Sequence, residues 1–177
     1  MPEAPLKRTE HGLVPDGEGW FVVNATEAPW VGAVGLGRAV PFESPEHRFR
    51  EFGINIHVIE SGEPNCMYHA ENAQEAYLVL SGECLLLIDG EERSLRQWDF
   101  VHLPAGTPHV VVGAGDQAAV VLMAGTRKDP DEVLYPVELV AQKQGAGVDK
   151  ETPDSKQAYA GVEDYVAEYR RGDLPGA

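Results

Sequence analysis

Residues 67–90, MYHAENAQEAYLVLSGECLLLIDG, decide the fold. Two apolar runs, Glu75–Leu80 and Glu83–Ile88, are joined by Ser81-Gly82, and the second ends on Asp89-Gly90. Asp-Gly between alternating apolar runs is a strong hairpin signal, because a type I′ turn needs positive φ. The rhythm continues on both sides. Gly53–Glu60 (GINIHVIE) alternates and is rich in β-branched residues, and SGEP then turns the chain. Downstream, Glu92–Leu95, Phe100–Leu103, Pro108–Val112 and Ala118–Ala124 read as further strands, with Pro104-Ala105-Gly106 and Gly113–Asp116 as turns. Short strands at this spacing predict an antiparallel sandwich or closed barrel.

The flanks differ from this core. Gly19–Asn24 (GWFVVN) reads as a strand. Gly32, Gly35 and Gly37 lack the strand–loop–helix setting of a phosphate loop and read as bulges or turns. Pro136–Gln144 predicts a short helix, with Pro136 at a first position and Gly145 as its stop. Asp154–Arg171 predicts a longer one. Tyr159, Val162, Tyr165, Val166 and Tyr169 fall at helical spacing, Asp154/Gln157 fit a capping box, and Gly172 ends it. Trp20, Trp30 and Trp98 are expected to be packing anchors. The division expected is an N-terminal extension with edge strands over 1–50, a β-barrel over 51–127, and a C-terminal extension with short helices over 128–177.

The chain has 177 residues, with 14 Lys and Arg against 29 Asp and Glu, a formal charge of −15. That balance argues against nucleic acid, which needs a basic face, and against an anionic membrane surface. The N-terminus lacks the apolar core of a secretory signal, and no apolar run approaches the length of a membrane helix. Cys66 and Cys84 form no CxxC pair and no disulfide framework. A cytoplasmic protein with reduced thiols is expected.

Chemistry concentrates in a few residues. His69 and Glu71 are two apart in an extended segment and leave the same face. Glu75 opens the next strand, close enough in sequence to return beside His69, and His109 follows a rigid Pro104-x-Gly106 turn. Two imidazoles and one or two carboxylates on neighbouring strands match a divalent transition-metal site. Taken singly, a histidine on a strand is more often a hydrogen-bonded interior or rim residue than a ligand, and most carboxylates face water; the case for a site rests on the residues together. Tyr77, Val79, Met67, Thr107 and Val111 share the inward parity and are expected mainly to fill the barrel. His57 and His102 are secondary pocket candidates. Three protein ligands leave an open, catalytic position, whereas four close a structural site.

The spacing Gly62, six residues, His69-Ala70-Glu71, three residues, Glu75, six residues, Gly82, followed by Pro104-Ala105-Gly106-Thr107-Pro108-His109, resembles the two motifs of the cupin superfamily. The resemblance covers roughly residues 53–125 and is of the single-domain bacterial type. It implies an all-β double-stranded β-helix, the jelly-roll or cupin barrel. It implies one divalent metal ion, with zinc, iron or manganese favoured and nickel or copper also suited, held by His69, Glu75 and His109. Glu71 stands where the family usually has a second histidine, and is carried as a fourth ligand. Trp98 replaces the glycine that normally begins the second motif, and Gly113 replaces the asparagine that ends it.

The functional expectation is a metal-binding protein acting on a small organic molecule, as an oxygenase (dioxygenase-like), isomerase or lyase. The alternative is a non-catalytic, small-ligand-binding or sensing protein with a structural metal. The family habit of pairing implies a homodimer, formed through the first 50 residues or the Asp154–Arg171 helix.

Overall fold

The computed structural model describes residues 1–44 and 46–177. Its elements in chain order begin with the hairpin β1 (Leu6–Thr9) and β2 (Gly12–Pro15), followed by β3 (Trp30–Ala33), β4 (Arg38–Pro41) and β5 (Phe52–Ile59). The motif strands are β6 (Ala70–Glu71), β7 (Glu75–Ser81), β8 (Glu83–Ile88), β9 (Glu91–Arg96), β10 (Phe100–Leu103), β11 (His109–Ala114) and β12 (Ala119–Thr126). β13 (Val133–Leu134), helices α1 (Leu139–Lys143) and α2 (Ser155–Ala158), and β14 (Asp164–Ala167) complete the chain.

Two antiparallel sheets face each other as a double-stranded β-helix. The larger runs β10-β7-β12-β5-β4-β3-β14 and the smaller β11-β8-β9, with β13-β6 as a separate pair. The Asp89-Gly90 turn has positive φ at both residues, 51° and 73°, as a type I′ hairpin requires. Alternation then sorts the side chains. Tyr77, Val79, Leu86, Val111, Val121 and Met123 meet between the sheets. The outer face of the larger sheet buries Val40, Val58 and Val120 beneath Trp30, Ala28 and Leu174. The outer face of the smaller sheet buries Leu87, Val110 and Val112 beneath Tyr68 and Ala141 of α1.

Arg38 lies on the outer face of the larger sheet, almost fully buried. It forms a bidentate pair with Asp173 from the C-terminal tail and donates to Glu60 at 3.0 Å. The last turn of the chain is thereby tied to the sheet.

Several expectations are corrected. The Asp154 cap is real, since its carboxylate accepts from Lys156 N–H at 2.9 Å and from the Gln157 amide at 3.1 Å. The helix nevertheless ends at Ala158 rather than Arg171. Gly161 takes φ 87°, and the chain continues as β14, which pairs with β3 across Asp164↔Ala33 to Ala167↔Trp30. Sheet pairing with a distant edge outweighs the local 3.6-residue spacing there. α1 begins at Leu139, capped by Glu138, so Pro136 lies outside it, while Gly145 does adopt positive φ as its stop. Gly19–Asn24 is not a strand: only Trp20 bridges, to Glu3. Trp30 anchors the outer core, but Trp20 and Trp98 are exposed. Among the described residues no helix is long and apolar enough to cross a membrane.

Candidate metal centre

The segment before β6 runs alongside β11, and His69 and His109 face each other across an isolated bridge. His69 N–H donates to His109 C=O at 3.1 Å, and His109 N–H donates back at 2.8 Å. The two rings come within 5.1 Å, centroid to centroid. Each imidazole is then fixed by the carbonyl two residues before it. His69 Nδ1 lies 2.8 Å from Met67 O, and His109 Nδ1 lies 2.9 Å from Thr107 O. A carbonyl oxygen only accepts, so each Nδ1 carries a proton and each Nε2 is turned inward. This is the support that metal-ligating histidines commonly have.

Glu75, at the start of β7, completes the group. One ligand atom each from His69, Glu75 and His109 lies within 4.8 Å of the others. Glu75 Oε2 is 3.3 Å from His109 Nε2. The Tyr77 hydroxyl stands 2.8 Å from Glu75 Oε1 and 2.7 Å from His109 Nε2. One hydroxyl proton cannot satisfy both acceptors, so a carboxylate oxygen and an imidazole lone pair face each other short of positive charge. Two nitrogen donors and one oxygen donor in that condition fit a divalent transition metal.

The protonation preferences differ within the trio while no cation is bound. Burial first, and neighbouring Glu71 second, hold Glu75 above the usual carboxylate range. Burial lowers His109 to about 4, assisted by His69, so it is neutral at pH 7. For His69 burial opposes the charged form, but Cys66 and Glu71 overcome it and raise the imidazole well above its ordinary value. The hydrogen bond from His69 in turn lowers Glu71.

Of the four ligands expected from the sequence, the structure brings three together. Glu71 Oε1 sits 3.4 Å from His69 Nε2, beside the trio rather than within it. Tyr77, expected to be core packing, bonds directly to two of the three. His57 lines the pocket, whereas His102 is exposed on β10. Cys66 Sγ lies 3.6 Å from His69 Nδ1, while Cys84 is core and burial pushes its thiol up to about 12. His69 and Glu75 of the trio line a pocket of about 260 Å³, and Asn55, Asn65 and Arg127 also border it. Asn55 and His57 were legible in principle, being the polar residues on alternate positions of the apolar strand I-N-I-H-V.

Residues 55–125, which carry this barrel and its trio, match the cupin domain family model. Over this stretch the chain is similar to a cupin domain. Solved structures similar to it include a candidate sugar phosphate isomerase from Acidithiobacillus ferrooxidans, with 34% identity over 49% of this chain and 57% of that one, at TM-score 0.47. A cupin-superfamily sugar phosphate isomerase from Silicibacter pomeroyi is 24% identical over 55% of this chain and 63% of that one, at TM-score 0.48. A polyketide cyclase from Streptomyces resistomycificus, 16% identical over 60% of this chain and 79% of its own, reaches TM-score 0.52 and shares the fold. The chain thus spans 57% and 63% of the length of the two isomerases. No curated protein matches the sequence significantly.

The departure at Trp98 has a backbone explanation. Trp98 takes φ 75°, the left-handed conformation in which glycine is at ease, and its N–H donates to Val79 C=O at 2.8 Å. The turn is therefore made with tryptophan held in a conformation that favours glycine. At Gly113 a side chain has no room, since a Cβ there would lie 2.1 Å from the Glu60 carbonyl oxygen.

Proposed function

We propose that the chain is a metal-dependent enzyme in which His69, Glu75 and His109 hold one divalent transition-metal ion facing a small oxygenated organic substrate. The observation that carries this reading is the tautomer-fixed pair of Nε2 atoms beside Glu75, with His69 and Glu75 at the wall of a pocket. Three protein ligands leave coordination positions free, the pattern of catalytic rather than structural sites. A bound ion supplies Lewis acidity to a substrate oxygen.

The reaction class best supported is proton transfer, as in an isomerase or lyase. Glu71 lies outside the trio and borders the pocket. A carboxylate beside a bound cation is ionised at neutral pH, as a general base must be. Tyr77 holds Glu75 in place and keeps a proton at its hydroxyl oxygen. The test is solvent-deuterium incorporation, followed by NMR, into a panel of small oxo acids and hydroxy ketones with the zinc- or manganese-loaded protein. Exchange with at least one compound that falls about 100-fold in Glu71→Gln, with metal content unchanged, is the expected result. Exchange that persists in Glu71→Gln, or no exchange across the panel, contradicts the assignment.

A further inference from the structure

Opposed residues in a sheet present their side chains to the same face. The register of the larger sheet therefore carries the inner face of the barrel outward along one row, Val79, Val121, His57, Ala39, Val31 and Val166. The row begins in the core, passes the metal pocket at His57, and continues onto β3 and β14 as purely apolar positions. Val31 and Val166 at its end are 48% and 54% exposed. A second cavity of about 530 Å³ lies over this end, bordered by Val31, Leu36, Ala39 and Val166. His57 and Asn65 border both cavities.

The junction is polar and unpartnered. Asn55 Oδ1 and His57 Nδ1 are buried and have no hydrogen-bond partner in the protein. A buried polar atom left unpaired costs on the order of 1–3 kcal/mol, so a group from a ligand, or water that a ligand displaces, is called for there. The charge pattern narrows the ligand further. Among the described residues bordering either cavity, Arg127 is the one arginine or lysine, and it is paired with Glu43. Glu71, Glu75, Asp131 and Asp164 border the same spaces. A phosphate group would meet carboxylates and no free cation.

From these observations we infer that the apolar cavity over β3, β4 and β14 is an annex of the metal pocket. Its occupant is the apolar body of the substrate, about the size of a ring. The substrate class is an uncharged or singly anionic amphiphile. Its oxygen-bearing end faces His69, Glu75 and His109, and a hydroxyl or amide lies against Asn55 and His57. The inference rests on the metal reading above and adds the substrate class to it.

The probes that test it are acetohydroxamate and benzohydroxamate, which share a metal-binding head and differ in the body. Their dissociation constants are read from the visible spectrum of the cobalt(II)-loaded full chain. Burying the ring in the annex gives benzohydroxamate an advantage of roughly tenfold in the wild-type protein. Val31→Asp, and the milder Val166→Thr, should cut that advantage at least about threefold while leaving cobalt content and acetohydroxamate affinity unchanged. Cobalt uptake with the same preference in wild type and both variants overturns the annex alone. No cobalt uptake overturns the metal reading and the annex with it. A dimer that dissociates on Val31→Asp with the preference unmoved shows a second copy on this face, and also overturns the annex.

Discussion

His57 sits on the inner face of β5 between Ala39 and Val121 and borders the pocket lined by His69 and Glu75. Burial without a charged partner lowers its pKa from 6.5 to about 4. The fold therefore holds the imidazole neutral, while the unfolded chain titrates at the ordinary value. A depressed histidine pKa gives stability that is complete above pH 6.5 and is lost as pH falls from 6.5 toward 4. At about 1.4 kcal/mol per pH unit, the loss reaches about 3 kcal/mol at pH 4. For a chain of this size that is roughly 10 °C in Tm. The assay compares denaturant unfolding of the wild type and His57→Gln between pH 7 and pH 4, in EDTA so that metal release contributes nothing. Acid effects from His109, Glu71 and Glu75 are common to both proteins and cancel in the difference. The wild-type advantage over His57→Gln should shrink, or its deficit grow, by about 3 kcal/mol across that window. A difference that stays constant within about 0.5 kcal/mol refutes the claim that His57 is held neutral by burial.

Two further outcomes follow from the packing. Asp173→Ala leaves the buried Arg38 guanidinium with only the half-exposed Glu60, and should cost about 3 kcal/mol in urea unfolding, with Arg38→Met costing clearly less. Equal losses for the two variants would mean that the pair matters only through packing. Trp98→Gly should be more stable than Trp98→Ala by about 1 kcal/mol, because alanine keeps the left-handed strain at φ 75° and glycine removes it. Equal Tm values for these two variants would contradict the strained-turn account.

Local signals in the sequence carried much of the barrel. The Asp-Gly and Ser-Gly turns set the strand boundaries around β7 and β8, and Phe100–Leu103 lies where alternation places it. The candidate site was legible in part: two-residue spacing put His69 and Glu71 on one face, while the choice of Glu75 and His109 as their neighbours came with the resemblance to the cupin motifs. The Asp154–Arg171 segment failed because its cap is local but its fate is not. β14 forms only because β3, more than a hundred residues earlier, offers an edge, and no spacing within the segment encodes that edge. Tyr77 illustrates a different limit. Parity shows that the ring points inward, yet the partners of its hydroxyl depend on how three strands approach one another. Glu71 shares the face of His69, as two-residue spacing requires, but its carboxylate pairs with that histidine outside the shared space of the other three.

The most direct test of the account is the metal itself. Untagged protein, stripped with chelator and titrated with cobalt(II), should bind one ion per chain, with elemental analysis giving the same stoichiometry for zinc or manganese. His69→Ala and His109→Ala should each lower the affinity by about 100-fold or more while the protein remains folded by circular dichroism. A wild-type protein that takes up no ion, or variants that bind as tightly as the parent, would contradict the assignment of His69, Glu75 and His109 as a metal centre.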